Sequence, residues 1–226
     1  MSRPLLALLH LCDSLFPIGG FGYSDGLEAA TAARLVETPA DLQAWLDVCL
    51  DEVVGRMDGP AALCAWSTFD REDWQVLCEL DDEITAMRPA SATRRSNRAM
   101  GLRLVTTWSA LYPDQRLEHL LVLARRQSLG PALPIAFGCA CASAGVGMRD
   151  TGAAFAYTRL ASTISAALRL MQLGQTNAHA RLAKTLERVP VVVEAMTTRA
   201  RPESFAPAMD LAAMTQQYLH SRLFRS

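Results

Sequence analysis

The sequence predicts an all-α protein folded as a single domain of about ten helices, and three observations carry that prediction. Apolar residues recur at three- and four-residue steps, most clearly Leu42, Trp45, Leu46, Cys49, Leu50, Val53 and Met57, which line up as one stripe on a helix. Helix start and stop signals recur along the chain. There is no series of alternating strands and no βαβ rhythm.

The elements follow in order. Asp25 with Glu28 three residues later fits a capping box, opening a helix to about Val36. Thr38-Pro39 places a cap residue before a proline at the first helical position, and Asp58-Gly59-Pro60 is expected to end that helix and open the next. Ser91 is the expected cap of a helix to about Tyr112, stopped by Pro113. Further helices are expected over 114–128, from Leu133 after a loop holding Gly130-Pro131, from Asp150 or Thr151 to about Gly174, and over 175–188 and 205–221. Val189–Val193 is β-branched but too short and isolated to imply a sheet. No internal repeat and no long linker divides residues 1–226.

The chain has 226 residues, 50% of them hydrophobic, and a mean hydropathy of +0.12. Such a chain either enters a membrane, has a large core, or covers part of its surface with partners. Residues 127–148 carry no charge and are long enough to span a bilayer, but they hold Pro131, Pro134, four glycines and many Ala and Ser. Small residues suit close packing inside a protein, so a buried helix is expected there. At the N-terminus Asp13 interrupts the apolar run and no cleavage site follows, so no secretion signal is expected. The expected compartment is the cytoplasm. The six cysteines have neither zinc-site nor disulfide-framework spacing and read as reduced core residues.

Charge is unevenly spread. With 22 basic and 23 acidic residues the net charge is −1, which argues against a nucleic-acid binder. Residues 1–114 carry nine basic and seventeen acidic side chains; residues 115–226 carry thirteen and six. The two sections either pair with each other on folding or orient a partner.

The residues of an enzyme site are missing. Lys184 is the only lysine and has no glycine-rich loop before it, so no P-loop is present. Gly19-Gly20-Phe21-Gly22 lacks the strand and the third glycine of a dinucleotide loop. His10, His119, His179 and His220 are far apart, and the close pairs His10/Cys12 and Cys139/Cys141 would point to opposite faces of a helix. No catalytic residue is assigned, and the metal ligands, if any, stay unassigned.

Three segments in order resemble the urease accessory protein F family (UreF): Leu15–Glu28, Pro134–Gly138 through Gln172–Thr176, and Ala206–Leu211 through Ser221–Ser226. The likeness spans essentially the whole chain. It implies a homodimeric, all-helical, non-enzymatic scaffold for metallochaperone assembly. Such proteins bind accessory protein D (H in some systems), recruit the GTPase protein G, and dock on urease apoprotein for GTP-dependent nickel insertion. No tightly bound cofactor is implied; nickel is cargo in transit. The alternative within that system is a GTPase-activating or fidelity-regulating factor, with Arg95, Arg98, Arg222 or Arg225 as the inserted arginine.

Partner contacts are expected at Gly19, Gly20, Phe21, Tyr23, Ser24 and Glu28 around the glycine turn, and at Arg95 and Arg98 of the arginine-rich helix. They are also expected at Arg222, Leu223, Phe224 and Arg225 of the tail 221–226, where apolar residues between arginines suit a groove on a partner. The chain departs from the family where Gln216 and Gln217 replace a His-Glu pair and His220 replaces a tyrosine.

Overall fold

Helix α8 (Leu133–Ser143) is the axle of the molecule: every residue from Leu133 to Ala142 is buried. The structure, a computed structural model, describes residues 3–199 and 201–225. Around α8 pack α4 (Gly59–Asp70), α6 (Ser91–Leu111) and α9 (Met148–Leu170). The outer elements are α1 (Arg3–Leu11), α2 (Leu27–Ala32), α3 (Pro39–Val48), α5 (Trp74–Ala86), α7 (Gln115–Arg125), α10 (Gln175–Leu186), α11 (Val189–Thr198) and α12 (Pro207–Thr215). The described residues contain no strand.

The uncharged segment is a buried helix, as its small residues predict. They allow α4 and α8 to meet backbone to backbone: a Cβ on Gly138 would stand 2.1 Å from the carbonyl oxygen of Ala62. Larger side chains line the outer layers of the same core, among them Phe69, Trp108 and Phe155, all fully buried. Among the described residues no helix is long and apolar enough to cross a membrane.

Several boundaries differ from expectation. Asp58-Gly59-Pro60 does not end a helix; α3 and α4 are joined by a π-helical stretch, Cys49–Asp58, into one rod. The backbone N–H of Gly59 donates to Val54, five residues back. Pro60 has no N–H to offer the carbonyl one turn earlier, and Arg56 O accepts instead from the backbone N–H of Glu203 at 2.9 Å. Asp25 and Glu28 form no capping box. Gly26 is the cap of α2, Asp25 pairs with Arg159, and Glu28 turns toward the C-terminal tail. That helix ends at Ala32 rather than Val36. Thr38 does cap α3, in a reciprocal arrangement with Asp41. Ser91 begins α6 without capping it, and α9 starts at Met148, before Asp150 and Thr151. The β-branched run from Val189 is the first turn of α11, where Pro190 is tolerated because that N–H has no helical partner to lose. The last helix is shorter than 205–221: α12 stops at Thr215 and a 3₁₀ turn, Gln216–Tyr218, follows.

Cysteines are free throughout the described residues. Cys49, Cys139 and Cys141 are core residues as expected, Cys12 and Cys78 are half-buried, and Cys64 is exposed rather than internal. Burial pushes the Cys12 and Cys49 thiols up to about 11 and those of Cys139 and Cys141 further, so none of these four is a ready thiolate.

The acidic and basic sections of the chain pair in part with each other. Arg188 meets Asp47 at 3.1 Å and Asp51 at 2.7 Å, Arg116 meets Asp70 at 3.5 Å, and Arg159 meets Asp25. Arg88 and Asp58 form a buried pair, 6% and 2% exposed. Around them Asp25, Cys49, Arg159 and Asp210 line a chamber of about 50 Å³ beneath the π-helical stretch.

Candidate partner-docking site

The two ends of the chain meet at one place. Gly19 takes a left-handed conformation (φ 79°) and starts a 3₁₀ turn, Gly20–Gly22, closed by Gly22 N–H to Gly19 O and Tyr23 N–H to Gly20 O. An L side chain would be strained at Gly19 and would collide with Arg103, whose guanidinium nitrogen lies 2.6 Å from where a Cβ would stand. The turn lifts Phe21 into solvent, 53% exposed, while Tyr23 folds back against the core.

The tail returns to this turn and is held by Glu28. The Glu28 carboxylate, 6% exposed, accepts the backbone N–H groups of Leu223 and Phe224 and the side-chain amide of Gln216, the last at 3.0 Å. Ser24 Oγ donates to Gln216 Oε1 at 3.2 Å and accepts the Glu28 N–H at 3.4 Å. A buried carboxylate needs such donors in place of water, and the tail backbone supplies them. Arg225 N–H donates to Gly22 O at 2.7 Å. Arg169 of α9 lies over the Phe224 ring, 4.2 Å from its centroid, and donates to Phe21 O at 2.7 Å.

The expectation that Phe224 is offered to a groove on a partner is therefore corrected in one respect. Phe224 is 3% exposed in the chain's own core, because Glu28 and Arg169 fix the backbone and ring on either side of it. Leu223, 55% exposed, and the arginines Arg222 and Arg225 remain outward. Ser226, the last residue of the expected tail 221–226, lies outside the described residues. Ser24 and Glu28 are likewise buried: they hold the tail rather than face outward. Beside the turn runs a groove of about 550 Å³, lined among others by Phe16, Ile18, Tyr157, Leu168 and Phe224.

Arg95 and Arg98 do not join this site. Both are on α6 but one to two turns before Arg103; Arg98 leans on Gly130 and faces Asp82 at 3.7 Å. The positions that sequence reasoning did not assign to this site are Arg103, Arg169 and Gln216, the last noted only for departing from the family pattern. Their contacts span separations of up to 192 residues, which no local pattern encodes. Among the described residues no three His, Cys, Asp or Glu side chains gather as a metal-ion site.

Comparison with known proteins gives the family. The UreF family profile matches residues 36–186. The chain is 32% identical to the urease accessory protein UreF of Methylibium petroleiphilum, over 98% of this chain and 94% of that protein. It is 31% identical to that of Azoarcus sp. strain BH72, over 99% and 96%, and 30% identical to that of Polaromonas sp. strain JS666, over 98% and 94%. With two thirds of the sequence inside the family profile and nearly all of it aligned to full-length relatives, the chain belongs to the UreF family of urease accessory proteins.

Proposed function

We propose that the chain is a dimeric cytoplasmic adaptor of urease maturation, which binds accessory protein D/H and recruits the GTPase protein G to urease apoprotein. Nickel is the cargo of that assembly, inserted at the expense of GTP, and the chain itself performs no chemistry. The observation that carries this reading is the near full-length match to urease accessory proteins of several bacteria. The joined turn and tail support it, because an outward Phe21, Leu223, Arg222 and Arg225 on a rigid base suit a protein interface rich in aromatic and arginine anchors. The test is removal of Leu223–Ser226 followed by pull-down with D/H and G and assay of urease activation. Loss of both is expected; unchanged binding and activation would refute the tail's role.

A second reading is favoured by the free guanidiniums of Arg222, Arg225 and Arg95, none of which is ion-paired among the described residues. One of them would act beside the nucleotide of protein G. GTP turnover by G with and without the chain decides it, and an unchanged rate rejects it.

A further inference from the structure

Three arginines from distant parts of the chain converge on four residues of backbone. Arg103 of α6 stands against Gly19, Arg169 of α9 is bonded to Phe21 O, and the Arg225 side chain passes Gly22, 3.7 Å from where its Cβ would be. None of the three meets a carboxylate among the described residues, whereas half of the other arginines do. The nearby acids are already engaged: Glu28 is buried under the tail and Asp25 is paired with Arg159. Asp13, exposed on the lining of the groove, is one carboxylate against three guanidiniums, so positive charge is in excess on this face. In their midst Phe21 stands half in solvent, with the apolar groove on one side and exposed Leu223 nearby on the tail.

We propose that this face is the docking platform for an acidic segment of a partner protein, one whose carboxylates flank an apolar side chain. The carboxylates would meet Arg103, Arg169 and Arg225, and the apolar side chain would cover Phe21 and enter the groove. Charge complementarity selects this occupant: three arginines outnumber the one exposed acid, Asp13, on this face while the net charge of the chain is −1, so the surplus is local and directed. A nucleic acid would want an extended basic stripe tracking a phosphate backbone, whereas here the arginines ring one aromatic side chain. The tail completes the platform, because Arg225 reaches the turn only while Glu28 holds residues 223 and 224.

The inference rests on the adaptor reading, and the test separates the two. Overlapping short peptides covering the cognate urease accessory proteins and urease subunits are arrayed and probed with the full chain and with Arg103→Glu, Arg103→Lys and Arg225→Glu. Arg103 is exposed and forms no ion pair or hydrogen bond among the described residues, so its replacement should leave thermal unfolding unchanged. Wild type is expected to retain peptides that combine Asp or Glu with Leu or Phe. Either Glu variant should bind them about tenfold more weakly or worse, while Arg103→Lys stays near wild type. Retention of basic or neutral peptides, equal binding by the Glu variants, or no retained peptide would each overturn the proposal. Pull-down of the intact accessory proteins is run alongside. If wild type assembles with them and the Glu variants do so equally well at low and high salt, the acidic platform is refuted while the adaptor reading stands. If wild type fails to assemble, both fall.

Discussion

The α4–α8 crossing and the clasped tail are closed by opposite means. At the crossing, two helices touch through Gly138 and the Ala62 carbonyl, backbone against backbone. At the tail, one carboxylate, one amide and one guanidinium hold a short stretch of backbone against the surface. The first contact is part of the common core, so disturbing it disturbs every helix. The second adds little buried apolar surface beyond Phe224 and can open while the rest stays folded.

The comparison can be broken most severely at the crossing. Gly138→Ala places a methyl 2.1 Å from a carbonyl oxygen that cannot retreat, and should cost about 3 kcal/mol or more in denaturant unfolding. A loss below about 1 kcal/mol would mean that the helices are free to separate.

Asp81 supplies the next largest effect, and it depends on pH. Its carboxylate accepts the N–H groups of Gly130 and Ala132 ahead of α8, at 3.0 and 2.7 Å. Burial nevertheless outweighs these donors and raises it from 3.8 to about 6. Between those values the folded chain keeps a proton that the unfolded chain has released. Stability relative to Asp81→Asn should therefore fall by about 2–3 kcal/mol as pH rises from about 4 to 6, and level off above 7. A difference that grows with pH would contradict the raised value.

Glu28→Gln tests the clasp. An amide keeps one acceptor but turns a donor toward N–H groups, leaving about 1–3 kcal/mol of the local bonding unmade. Amide exchange at Leu223–Arg225 should accelerate while the melting temperature hardly moves. A large drop in melting temperature would instead place the tail within the cooperative core.

The smallest effect is expected at Arg188, whose pairs with Asp47 and Asp51 are partly solvated. Arg188→Ala should cost less than about 1 kcal/mol, and less again in high salt.

Much of the fold was legible because periodicity and composition are local properties. The Leu42–Met57 stripe gives the α3 rod, and the small, uncharged run over 127–148 holds the buried axle, Leu133–Ser143. What failed was also instructive. Gly59-Pro60 has the composition of a break, yet the rod continues because Glu203 supplies the missing hydrogen bond from another part of the chain. Asp25 and Glu28 have the spacing of a capping box, yet each finds a better partner far away, Arg159 for one and the tail for the other. The site was legible in its two ends, the glycine turn and the terminal arginines, through family resemblance. Its joining was not.

By itself, then, the sequence determined the helical class, the buried α8, the absence of local enzyme signatures and the family likeness, all of which reside in short-range pattern. Only the tertiary structure decided that Phe224 is internal, that Gln216 and Glu28 clasp the tail, and that Arg103, Arg169 and Arg225 surround Phe21. The reason is physical: a buried carboxylate or a guanidinium takes whichever partner the packed chain brings within about 3 Å, and that is set by the crossing of helices rather than by spacing along the chain.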